Sequence, residues 1–94
     1  MSTPGRDRYR LLVARPAAKA LTDTLSEKVA HAVYEFMTGP LLENPHRVGK
    51  PLGPPLAPAF SARRGDYRVL YLIDEATRTV KVTAIRHRAD AYRS

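Results

Sequence analysis

A chain of 94 residues, 44% hydrophobic and 27% charged, is long enough for one domain with a modest core and too short for two. It has no cysteine, which excludes disulfides and cysteine-ligated zinc; its three histidines, His31, His46 and His87, show no H-x-x-H or H-E-x-x-H spacing, so no metal or other cofactor is expected. The formal charge of +7 is uneven: residues 1–46 carry six Lys/Arg against five Asp/Glu, whereas residues 47–94 carry ten against four, the electrostatic footprint of a polyanion-binding domain.

A single domain over residues 1–94 is expected, with Met1 to Asp7 as a disordered tail. The polar opening MSTPGRDRYR is neither a secretory apolar region nor a membrane span, so the expectation is a cytoplasmic protein with no membrane partner. Tyr9 to Ala14 (YRLLVA) is short, apolar and β-prone, which predicts a first strand. Pro16 suits a first helical turn, and Ala17, Ala18, Leu21 and Leu25 fall near one helical face. Thr24 with Glu27 has capping-box spacing, with Ser26 as the competing N-cap of a second helix. Val29, Ala32, Val33, Phe36 and Met37 recur there at helical spacing until Gly39-Pro40 breaks the run. His31, on the less apolar side of that helix, reads as a solvated residue.

Five of the eight prolines lie between Asn44 and Pro58, which predicts a stiffened loop with Arg47 and Lys50 projecting from it. Phe60 to Arg64, Tyr67 to Ile73 (YRVLYLI) and Thr79 to Ile85 (TVKVTAI) read as strands joined by tight turns. The order β-α-α-β-β-β gives an α+β class: an antiparallel sheet of about four strands with a helical hairpin on one face. The strand from Tyr67 is apolar on both parities, so its uncovered face is expected to meet a partner chain.

RNA can be cut without a metal when its own 2′-hydroxyl attacks the adjacent phosphate. The protein must then remove that proton, neutralise the extra charge on the pentavalent phosphate and assist the departing 5′-oxygen. Arginine suits the second task, because its planar fork donates two hydrogen bonds and stays charged. Arg68 near the start of one strand and Arg86 just beyond the end of its partner lie at the same end of a hairpin. Arg63 and Arg64 reach that end across the Gly65-Asp66 turn, and His87, Arg88 and Tyr92 follow at once.

In RVGKPL, RRGDYRVLY and IRHRADAY, in this order and spacing, the chain resembles the RelE branch of the RelE/ParE toxin superfamily. Members of that branch cut messenger RNA in the ribosomal A site and are held inactive by an antitoxin. The resemblance, which covers nearly the whole chain, implies a RelE-like fold. It also implies messenger RNA on the ribosome, with 16S ribosomal RNA contacts, and a cognate antitoxin as partners. It makes Arg68 and Arg86 contacts to the phosphate and transition state, Tyr92 an aromatic that stacks on a base or assists proton transfer, and Arg88 a second basic position. Arg47, Lys50, Arg63 and Arg64 complete the expected phosphate-binding set.

The lysines that the best-known members carry before the Gly65-Asp66 turn are replaced by Ala59 and Ser61. Histidine is the side chain whose charge ordinarily changes near neutral pH, so His87 is the candidate general base; its structural alternative is packing at the strand end. Two other readings stand beside this one: a ParE-like poison of DNA gyrase, against which the R-x5-Y spacing of Arg86 and Tyr92 argues, and a weakly catalytic RNA- or ribosome-binding module.

Overall fold

The computed structural model describes residues 8–87, so the expected tail 1–7 and the candidate site residues Arg88 and Tyr92 lie outside the described residues. Strand β1 (Arg10–Val13) leads into helix α1 (Arg15–Lys19) and a π-helical turn (Ala20–Thr24). Helix α2 (Glu27–Thr38) follows, then two single-turn helices, α3 (Pro40–Glu43) and α4 (Pro45–Val48). The remainder is β: β2 (Lys50–Pro51), β3 (Phe60–Arg64), β4 (Tyr67–Asp74) and β5 (Thr79–His87).

Local chemistry explains most of these boundaries. Ser26, not Thr24, caps α2: its hydroxyl accepts the amide of Val29 at 3.3 Å. Val33, Phe36 and Met37 are buried along the apolar stripe of α2, while Ala32 is exposed and Val29 half-buried. The stripe is therefore narrower than its periodicity suggests. At Gly65, φ is +59°, the sign a tight two-residue hairpin turn of type II′ needs at its first position, and β3 turns there into β4.

The sheet runs β1-β5-β4-β3-β2. The α+β class and the helical cover hold as expected, with two differences in the sheet. First, β1 pairs with β5 in parallel, Leu11 opposite Val80 and Val13 opposite Val82, so the sheet is mixed. The helices deliver the chain into β2, which runs against β1, and the three antiparallel reversals from β2 through β3 and β4 leave β5 running the same way as β1. Second, the proline-rich stretch is not all loop, for it contains α4 and a fifth strand. Both elements use positions open to proline: Pro45 starts a helical turn, where its missing N–H costs nothing, and Pro51 lies on an edge strand.

The core lies between one sheet face and the helices. Val69, Tyr71, Val80 and Val82 are fully buried from the sheet, and Ala17, Met37 and Leu41 from the helices. A polar knot closes the end of the domain carrying the β4–β5 turn. The Tyr9 hydroxyl donates to the Glu75 carboxylate at 2.8 Å, the His46 imidazole meets the same carboxylate, and Arg78 lies 3.6 Å from it. The Arg78 guanidinium also covers the Tyr9 ring at 4.0 Å, and is thus shared between ring and carboxylate. Hydrogen bonding from His46, then from Tyr9, holds the Glu75 carboxyl below its ordinary value of 4.5.

A carboxyl with a depressed folded pKa contributes stability that is present above its unfolded pKa and lost as pH falls through the folded one. Denaturant midpoints measured from about pH 6 down to about pH 3 should therefore decline more steeply for the natural chain than for Glu75→Gln. Identical acid limbs would show that the knot contributes nothing.

Candidate nucleic-acid interface

Three neighbouring strands bring the arginines together. Arg63 on β3 lies directly opposite Arg68 on β4, which lies directly opposite Arg86 on β5. Residues paired this way share a face, and the adjacent row of Ala62, Val69 and Ile85 is buried beneath the helices. The arginine row therefore occupies the opposite, open face.

Arg86 reaches that face because of an irregularity in β5. Pairing runs Leu70 to Ala84 but Tyr71 to Val82, leaving Thr83 as an extra residue, and the Thr83 hydroxyl donates to the Leu70 carbonyl at 3.2 Å. Strict alternation from the buried Val80 and Val82 would put Ala84 and Arg86 on the helix side. With the bulge, Ile85 becomes the buried residue and Arg86 turns outward beside Arg68.

A cleft of about 440 Å³ opens beside this row at the β2 edge. Its walls include Arg47, Lys50, Arg63 and Arg68, with Val48, Gly49, Leu52 and Ser61 between them. Lys50 pairs with Ser61 in the β2–β3 ladder, and so projects on the same face as Arg63. Four of the cations expected to bind phosphate thus meet in one concavity. Ser61, one of the two positions without the expected lysine, lies in the cleft, whereas the carbonyl of Ala59, the other, accepts the Leu52 amide at 2.9 Å and closes the proline loop.

Two candidate residues go elsewhere. Arg64 and His87 belong to the row of Arg64, Tyr67 and His87, one position along each strand from the arginine row, and so face the helix side. The guanidinium of Arg64 covers the Phe36 ring at 5.4 Å, and the His87 ring meets the Tyr67 edge with centroids 5.0 Å apart. All lie at the same end of the sheet, as the hairpin implies, but on its two sides. Among the described residues, no three His, Asp or Glu side chains gather into a metal-binding cluster.

Like charges directly opposite across strands repel one another, and here three arginines stand in line. An anion laid along the row would relieve that repulsion, with several guanidinium forks at the spacing of adjacent strands, ~5 Å.

In sequence and in fold the chain is similar to known proteins. Residues 6–92 match the family described as the ParE toxin of the type II toxin-antitoxin system, parDE. The chain is 48% identical over 85 residues to Toxin RelE of Mycobacterium tuberculosis, covering 90% of this chain and 87% of that protein. It is 52% identical over 69 residues to Toxin RelG of the same organism, covering 73% and 79% respectively. Among solved structures, a chain of the RelBE2 toxin-antitoxin complex from M. tuberculosis superposes with a TM-score of 0.82 at 43% identity, covering 86% of this chain and 99% of that one. The isolated E. coli RelE toxin shares the fold, with a TM-score of 0.69 at 21% identity over 92% of this chain and 87% of that one.

If the row is built for an external anion at the expense of the fold, removing one member should stabilise the free protein. Arg86→Thr, an exposed strand position, should raise the unfolding free energy in low salt by roughly 0.5 kcal/mol, the middle of the range for cross-strand pairs. Equilibrium urea unfolding at two salt concentrations measures this; a loss of stability in both would contradict it.

Proposed function

Because the chain belongs to the RelE/ParE family of type II toxins, we propose that it is a ribosome-dependent endoribonuclease that cuts messenger RNA and is held inactive by a cognate antitoxin. The observation that carries the reading is the row of Arg63, Arg68 and Arg86 on an uncovered sheet face, continuous with a cleft walled by Arg47 and Lys50. The solved relative at 43% identity is a toxin-antitoxin complex, which supports an antitoxin as the partner that covers this chain's exposed surface.

In the reaction proposed, the 2′-hydroxyl oxygen bonds to the adjacent phosphorus and the bond to the 5′-oxygen breaks. A 2′,3′-cyclic phosphate forms on one fragment, and the 5′-oxygen of the other takes up a proton. Arg68 and Arg86 donate to the phosphate oxygens as the negative charge grows, a contribution worth about 100-fold or more per well-placed donor. Arg63, Arg47 and Lys50 hold flanking phosphates, and Arg88 extends this basic set. Tyr92 supplies the aromatic contact of the tail.

His87 is the candidate acceptor of the 2′-hydroxyl proton. Its ring lies on the far side of the sheet end from the arginine row. Its use as a base therefore requires the RNA strand to pass around that end, with phosphate on one side and ribose on the other. Messenger RNA in the ribosomal A site, stabilised by contacts to 16S ribosomal RNA, is the proposed substrate, and the cytoplasm the proposed place of action.

One experiment separates this reading from its rivals, which matters because the matching family profile bears the ParE description. The protein is induced in a translating extract, and messenger-RNA 5′ ends are mapped. Cuts phased to codons should fall about 100-fold or more in Arg86→Ala. In His87→Gln they should fall too if His87 is the base; full activity there removes His87 from the mechanism and leaves the arginine row standing. Intact messages with inhibited DNA supercoiling would identify a gyrase poison. Intact messages with the protein retained on ribosomes would identify a binding module.

A further inference from the structure

The segment Pro45 to Lys50 carries two of the four cleft cations, yet it consists of a single helical turn and a two-residue strand. Elements this short do not hold their own conformation in water. Something else must fix Arg47 and Lys50 against Arg63 and Arg68.

The fixing contact is made by a core residue. Tyr71 on β4 is fully buried, stacked against Phe60 with ring centroids 5.5 Å apart, and its hydroxyl donates to the Pro45 carbonyl at 2.6 Å. Four residues further on, the chain returns to the same hydroxyl. A Cβ at Gly49 would overlap the Tyr71 hydroxyl and lie 2.9 Å from the Ser61 carbonyl oxygen, so only glycine lets the backbone pass so close. The phenol thus touches both ends of the turn that carries Arg47, and Lys50 follows directly in the ladder opposite Ser61. Burial pushes the Tyr71 phenol up to about 12.

We infer that Tyr71 is a positioning residue for the nucleic-acid cleft: its hydroxyl docks the Pro45 to Lys50 segment on the sheet, so that Arg47 and Lys50 stand opposite Arg63 and Arg68. The inference rests on the reading of the cleft as an RNA-phosphate site, and it adds a residue that touches no substrate. Phe60, through its stack on Tyr71, and Gly49, through its missing side chain, serve the same docking.

The test uses Tyr71→Phe, which keeps the ring and removes only the hydroxyl, with Gly49→Ala as a second route to the same displacement. Affinity for a short single-stranded RNA is measured against salt concentration for each variant and for Arg47→Ala/Lys50→Ala. Each phosphate contact to single-stranded RNA contributes about 0.7 to the slope of log affinity against log salt, so loss of two lowers it by about 1.4. Tyr71→Phe should show most of that reduction, and adding Arg47→Ala/Lys50→Ala to it should change the slope little further. A purely structural role would lower the melting temperature and leave the slope alone, so a natural slope in folded Tyr71→Phe overturns the inference.

Amide exchange in the free protein gives the decision independently of RNA. The Arg47 and Val48 amides bond to the Asn44 carbonyl at 3.1 and 3.2 Å, and should exchange at least tenfold faster in Tyr71→Phe if the turn has come loose. Faster exchange together with no RNA binding by the natural protein would sink the phosphate reading while keeping the docking. Unchanged exchange would sink the docking itself.

Discussion

The single extra residue at Thr83 is the constraint on which the arrangement of this protein depends. Side chains in a strand alternate, so a strand that must bury Val80 and Val82 fixes the side of every later residue unless its register changes. The bulge makes that change between the turn half of the β4–β5 hairpin and its open end. One half of β5 packs Val80 and Val82 into the core beside β1; the other packs Ile85 and releases Arg86 to the open face. The core and the arginine row are thus two results of one irregularity in the ladder.

The fold then separates two kinds of surface. Helices cover one face of the sheet and leave Leu70, Leu72 and the exposed Leu12 and Lys81 on the other, in line with the arginines. A face that mixes apolar residues with a file of like charges gains little as a surface left in water, and much as one that receives a polyanion or a partner chain. The chain belongs to a toxin family, and the solved relative at 43% identity is a toxin-antitoxin complex.

Much of this was legible in the sequence because it depends on local rules. The stripe Val33, Phe36 and Met37 announced α2, Gly65-Asp66 announced a hairpin, and the basic surplus after residue 46 announced the cations that wall the cleft. The strings RRGDYRVLY and IRHRADAY carried the family. Less accessible was anything fixed by the pairing of distant residues. Proline density in 44–58 hid α4 and β2, since composition does not distinguish a proline that starts a helical turn or sits at a sheet edge from one in a loop. The parallel partner of β1 depends on the number of antiparallel reversals between β2 and β5. Thr83 leaves no mark in a run as regular as TVKVTAIRH, so which of Arg86 and His87 faces the helices could not be read from spacing. The contact of Tyr71 with Pro45 spans 26 residues, and no local pattern marks it.

The central claim is that the open-face row is the surface that takes the RNA backbone, and its most direct test watches the arginines themselves. A short RNA with a 2′-deoxy substitution at the cleavage position, which removes the attacking hydroxyl, is titrated into the labelled protein while the arginine side-chain Nε–H resonances are followed. The account predicts that Arg63, Arg68 and Arg86 shift together, with Arg47 alongside, while Arg10 and Arg15 stay in place. Shifts confined to Arg64 and the neighbouring face of α2, with the open-face row unmoved, would contradict it.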